Sequence, residues 1–271
     1  MHILFWYKPA LWHKYATMGR QQGTLRFSGS VGDLNFYYTK NNGWLVRQKS
    51  SLDAKRFKTD PAFARSRESS SNFTRNSQSA KRLRDPFREL WNGLSDSELC
   101  QRSVSLMNKV REHDTQSNRG EFLTMVALQD PAAQALFKGF SFNDGPSSAQ
   151  LLLHPFTKDL STGAITIQEL NPAHGLVAPH IATHVGFSSS YAKIDFDKEA
   201  RSCFSGEVIL PLNHTPADVV LTPPYIPALD NSITLLTLKI VFYQQVNGTN
   251  YLLSDKACCA LEVIDAGFTE Q

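Results

Sequence analysis

The chain has 271 residues, of which 41% are apolar and 20% charged, enough to bury the core of one large or two small domains. No run approaches the roughly 18 consecutive apolar residues of a bilayer-spanning helix, and the composition excludes wholesale disorder. The net charge of +3 conceals an asymmetry: residues 1–150 hold 22 basic and 13 acidic side chains and residues 151–271 hold 6 and 12, so the chain reads as two parts of opposite sign.

The first fifteen residues, MHILFWYKPALWHKY, contain an apolar run too short for a signal sequence and no small-residue cleavage site. Residues 1–17 are therefore expected to be an over-extended start or a disordered lead, with translation opening at Met18. The rival reading is an interfacial anchor through Phe5, Trp6, Tyr7 and Trp12. Residues 18–139 are expected to form a β-hairpin followed by a basic helical region. Alternating Leu34, Phe36 and Tyr38, then Leu45 and Val46, flank Asn41-Asn42-Gly43. The Asn-Gly pair predicts a type I′ turn joining strands near 33–40 and 44–49. The nearby glycines show neither G-x-G-x-x-G nor a P-loop, and read as turn residues.

Asp60 before Pro61 predicts a helix start, and Phe63, Phe73, Ala80, Leu83, Phe87 and Trp91 predict an apolar stripe on one long helix over 61–92, kinked or divided at Pro86. Ser95 and Glu98 stand at capping-box spacing ahead of a helix running to about His113. One or two further helical pieces are expected over 121–137. Residues 140–271 read as an all-β domain. Its expected strands lie near 140–142, 149–153, 163–168, 181–187, 192–196, 206–211, 232–244, 251–253 and 258–265. The predicted class is thus α+β: an N-terminal β-hairpin and small helical bundle, then a C-terminal antiparallel β-sandwich, immunoglobulin-like or jelly-roll-like.

Candidate chemistry is sparse. His180 and His184 would share one face of a strand, about 13 Å apart at about 3.3 Å per residue, too far to chelate one ion, and His174 lies further upstream. The acidic residues of Asp195-Phe196-Asp197-Lys198-Glu199 resemble a carboxylate pair, but Asp195 and Asp197 straddle a strand end and are expected to solvate a turn, and no calcium-loop pattern is present. Cys100, Cys203, Cys258 and Cys259 form no C-x-x-C pair; buried packing is expected of Cys100 and the Cys258-Cys259 pair, with thiols reduced in the cytoplasm. No catalytic residue, metal site or cofactor is expected.

The clearest anomaly is a basic tract. Between Lys40 and Arg88 there are 13 basic residues against 4 acidic ones. Lys55, Arg56 and Lys58 precede the predicted helix, and Arg65, Arg67, Arg75, Lys81, Arg82, Arg84 and Arg88 lie along it. Two readings are open: the helix follows a phosphate backbone, or it docks on the acidic half of its own or a neighbouring chain.

Met18-Gly19, Gly23-Thr24-Leu25-Arg26-Phe27-Ser28-Gly29, Val31-Gly32-Asp33-Leu34-Asn35-Phe36-Tyr37 and Leu45-Val46-Arg47 carry a family likeness. With Thr59-Asp60-Pro61-Ala62-Phe63-Ala64-Arg65-Ser66-Arg67-Glu68 they make residues 18–92 resemble a group of uncharacterised proteins from Bacteroidetes-type bacteria. The tail, Val241-Phe242-Tyr243-Gln244-Gln245-Val246-Asn247-Gly248, is similar in kind. The resemblance implies a bacterial origin and a start at Met18, and supplies no catalytic residue. The expectation is a non-enzymatic structural or interaction protein, partnered by another protein or by itself. The alternatives are non-specific nucleic-acid binding through helix 55–88 and an unrecognised enzyme drawing on His180, His184 or Asp197.

Overall fold

The computed structural model describes residues 18–49, 53–91, 94, 96–253 and 258–269. The expected start at Met18 turns on residues 1–17 and the expected capping box on Ser95, which lie outside the described residues. The chain is α+β, with N-terminal strands, a helical region and C-terminal antiparallel sheet. It divides into two compact units, residues 1–63 and 64–271.

The first unit is a four-stranded antiparallel sheet of β1 (Met18–Arg20), β2 (Gly29–Val31), β3 (Leu34–Thr39) and β4 (Gly43–Gln48), in the order β1-β4-β3-β2. Thr39 pairs with Gly43, so the β3–β4 loop has three residues and not the two of the expected type I′ turn. Positive φ falls on Gly43, at 73°, and on neither asparagine; the Asn42 amide donates to Thr39 Oγ1 at 3.2 Å. A three-residue loop closed by a left-handed glycine matches the twist of its strands as well as type I′ does. Helix α1 (Ala54–Thr59) follows, its first turn capped by the Asp53 side chain, which accepts from the Lys55 amide.

In the second unit, α2 (Ala64–Arg84) ends where Pro86 forces a 3₁₀ turn, Asp85–Phe87, before the short α3 (Arg88–Trp91). The expected division at Pro86 is present and Asp60 caps as expected, its Oδ1 accepting from the Ala62 amide at 2.9 Å, but the first turn, Pro61–Phe63, is 3₁₀ and α2 begins only at Ala64. The apolar stripe also fails at Phe73, which is exposed. The buried face of α2 keeps the expected Ala80 and Leu83 and adds Asn76 and Ser79, with Ser79 Oγ bonded to Thr124 Oγ1 and Asn76 Nδ2 donating to Asn108 Oδ1. Helix α4 (Leu99–Arg111) opens on Asp96, whose Oδ1 accepts from the amides of Glu98 and Leu99. Two short helices follow, α5 (Thr124–Ala127) and α6 (Pro131–Ala135).

The β part is built from two antiparallel sheets. The smaller comprises β5 (Thr157–Asp159), β6 (Ala164–Leu170) and β10 (Ala217–Leu221). The larger is centred on β7 (His184–Ile194) and β11 (Ser232–Val246), which pair from Ile233 opposite Ile194 to Tyr243 opposite His184. Outside β7 lie β8 (Ala200–Phe204) and β9 (Val208–Pro211); outside β11 lie β12 (Thr249–Leu252) and β13 (Cys259–Thr269). Leu236, Leu238, Ile240 and Phe242 of β11 face a core shared with Ile165 and Ile167 of the smaller sheet. Ile233 and Leu235 face a second core shared with Leu83, Phe87, Met107 and Phe137 of the helical region. The change from helical to β sequence at 139/140 thus falls inside a shared core.

Several expected strands are corrected. Residues 149–153 are apolar enough to read as a strand, but Ser147 and Gln150 form a reciprocal capping box that turns them into α7 (Ser148–Leu151). Residues 140–142 contribute one bridge, Ser141 to Glu262. The runs at 181–187 and 192–196 are one strand, because Ser188, Ser189 and Ser190 are buried in the ladder and do not break it. Strands β5, β8 and β10 carry too little alternation to be read from sequence.

Leu238 is fully buried, so Leu238→Ala should cost about 2–5 kcal/mol. Leu25→Ala, at an exposed site, should change stability by less than about 0.5 kcal/mol. Urea unfolding of the two variants checks the contrast.

Candidate interaction surface

The alternation of β3 places Leu34, Phe36 and Tyr38 on one side of the N-terminal sheet. Register extends that side, setting Val46 opposite Phe36, Trp44 opposite Tyr38 and Val31 opposite Leu34. Phe27 adds an edge-to-face ring contact with Phe36 at 6.2 Å, and Tyr38 and Trp44 lie 5.3 Å apart. This apolar face is largely open: Val31 is 67% exposed, Tyr38 58% and Phe27 57%. The strands' cations lie on the opposite side, where Arg20 is opposite Leu45 and Arg47 is opposite Asn35. The Arg47 guanidinium sits over the Tyr37 ring at 5.5 Å. Leu45 is the one buried apolar residue among the described residues of this sheet. A sheet normally buries one face against another layer, and an exposed apolar face of this kind marks an interaction site.

The basic tract is divided by the fold. Lys55, Arg56 and Lys58 lie on α1 of the first unit, all exposed; Arg56 pairs with Asp60 at 3.0 Å and lies over the Phe63 ring. The others belong to the second unit. At about 100° per residue, Arg67, Arg75, Lys81 and Arg82 occupy about a third of the α2 circumference, with Arg65 and Arg84 outside it. Arg75 and Arg82 are near enough to Asp197, in the turn between β7 and β8, to favour its charged form. Desolvation is the largest influence on Asp197 and pushes its carboxyl up; the Asp195 charge adds to this, and Arg82, Arg75 and Lys198 oppose it. Asp197 is itself exposed, so the shift translates into little stability. Asp195 is buried, and its Oδ1 accepts from the amides of Asp197 and Lys198, fixing the turn.

Arg84 is held differently, its Nη1 donating to Ser103 Oγ on α4 at 2.9 Å. Arg65, Lys81 and Arg88 are exposed, and Arg67 is half-buried. The seven tract cations in this unit therefore do not act as one stripe: three are engaged by the chain's own Asp197 and Ser103.

The histidines separate. His174 has its ring centroid 5.0 Å from that of His214. His180 lies in a turn and not on a strand face as expected, because β7 begins only at His184, whose Nδ1 is 3.0 Å from Thr183 Oγ1. Among the described residues no three His, Cys, Asp or Glu side chains are placed to hold one metal ion. No disulfide joins the four cysteines: Cys203, Cys258 and Cys259 are buried, whereas Cys100 is exposed, against expectation. Burial pushes the Cys203 thiol up, away from reactivity.

One cluster escaped the sequence reading. Tyr243 Oη donates to Glu207 Oε1 at 2.7 Å. Gly186 makes this closure possible, because a Cβ there would lie 2.6 Å from that oxygen and 2.8 Å from Tyr243 Cε2. Desolvation and Glu207 together push the Tyr243 phenol up. Half-buried Lys239, four residues before Tyr243 on β11, is pulled down by desolvation, with Glu207 opposing. A lysine interrupting the apolar run of β11 was the available signal. No protein-family model matches the chain, and no curated protein or solved structure is significantly similar to it.

Arg84→Ala should cost about 1 kcal/mol by leaving Ser103 without its donor. Arg88→Ala, at an exposed position, should cost under about 0.5 kcal/mol. Chemical denaturation at moderate salt distinguishes the two.

Proposed function

We propose that this chain is a non-enzymatic structural or interaction protein that associates with a second copy of itself through the apolar face of its N-terminal sheet. The observation carrying this reading is the exposure of Val31, Phe27 and Tyr38 on a face otherwise formed by Leu34, Phe36, Trp44 and Val46. Because Arg20 and Arg47 belong to the opposite face, two copies meet there without opposing like charges, and a two-fold contact buries the same patch on both. Four cysteines joined by no disulfide suit a reducing compartment, and we assign the protein to the cytoplasm. No helix among the described residues is long and apolar enough to cross a membrane.

Light scattering across a gel-filtration peak tests the reading, with the 260/280 nm absorbance ratio recorded in the same run. The full chain should elute as a defined multimer with a protein-like ratio, and Val31→Glu combined with Tyr38→Glu should yield monomer with an unchanged melting transition. A monomeric wild type at about 100 µM would refute self-association. If that monomer carried nucleic acid, the exposed cations of α2 would become the contact surface instead.

A further inference from the structure

A groove of about 380 Å³ lies in the second unit between α4 and residues 136–141. One wall is a single helix face, since Arg102, Ser105 and Lys109 stand three and four residues apart. The other is main chain held against β13: the Gly139 amide donates to Val263 O, the Val263 amide to Phe140 O, and the Phe142 amide to Leu261 O, at 2.8–2.9 Å. Leu106, Leu136 and Phe140 supply the apolar part of the lining.

Among the described residues that line the groove there are three cations, Arg102, Lys109 and Lys138, and no carboxylate. Two of these cations are held in place by the chain. Arg102 Nη2 is bonded to Asp96 and to Ser141 O, and Lys138 Nζ lies 2.8 Å from Asp265. A guanidinium has five N–H donors and an ammonium three, so each retains donors for a further acceptor. Lys109 is exposed and forms no ion pair among the described residues. Pre-positioned cations beside an apolar wall, in a volume within the range of small-molecule sites, recognise a charged head on an apolar body.

We propose that this groove binds a small organic anion, a phosphate or carboxylate carried on an apolar body, with Arg102, Lys109 and Lys138 around the charged group and Leu106, Leu136 and Phe140 against the body. The site is independent of the N-terminal sheet.

Titration of the full chain with phenyl phosphate, followed by amide chemical shifts, tests this, with inorganic phosphate as a second probe. Saturable shifts are expected at residues 102–109 and 136–141, with inorganic phosphate bound about ten-fold more weakly because it leaves the apolar wall unused. Lys109→Glu removes an exposed side chain without an ion pair, so the fold should stand, verified by an unchanged melt, while phenyl phosphate affinity falls about ten-fold. Absence of saturable shifts below about 10 mM would overturn the proposal. So would undiminished binding by the Lys109→Glu protein, or equal affinity for the two probes, which would reduce the groove to surface charge.

Discussion

The second unit depends on the ladder between β7 and β11. It runs from Ile233 opposite Ile194 to Tyr243 opposite His184, and β11 buries both faces over most of its length. One face, Leu236 to Phe242, holds the smaller sheet; the other, through Ile233 and Leu235, holds the helices. Each fully buried aliphatic or aromatic side chain contributes about 1.5–3 kcal/mol from removal of apolar surface. The same strand thus stabilises both layers, and a register slip of one residue would exchange the faces and lose both cores.

Polar groups inside this framework are used to end or extend the ladder. Asn143, buried, donates through Nδ2 to Cys259 O and accepts at Oδ1 from the Leu261 amide, both at 2.8 Å. Its side chain thereby satisfies backbone groups on the outer side of β13 that a further strand would otherwise occupy. Thr237 Oγ1 accepts from the Ser190 amide in the centre of the sheet. These contacts cross more than a hundred residues in the Asn143 case, so local sequence carries no sign of them.

What could be read in advance follows from the same physics. The long apolar run of β11 and the Asn247-Gly248 turn announce themselves, and both asparagine and glycine there take positive φ, at 51° and 79°. Ser188-Ser189-Ser190 reads as a break because serine is usually solvated, yet burial between two paired strands overrides that preference. The Ser147–Gln150 capping box lies at the edge of an apolar stretch whose composition reads as strand. At the surface, the basic residues were legible as residues but their partners were not: Asp197 and Ser103 meet α2 only after the chain has folded. The exposed apolar side of the N-terminal sheet is implicit in its alternation, but only register brings Val31, Phe36 and Val46 to one face.

The two units therefore contribute different things. The first exposes apolar surface over a thin sheet, and the second supplies a closed core with cations distributed over its helices. Helices and sheet of the second unit form one cooperative structure organised by β11. Native-state hydrogen exchange measures it directly. Amides of Leu238 and Ile240 and those of Met107 and Val110 should exchange through the same global opening, with the strands of the first unit exchanging faster. Loss of protection in α4 through a separate, lower-energy opening while β11 remained protected would contradict it.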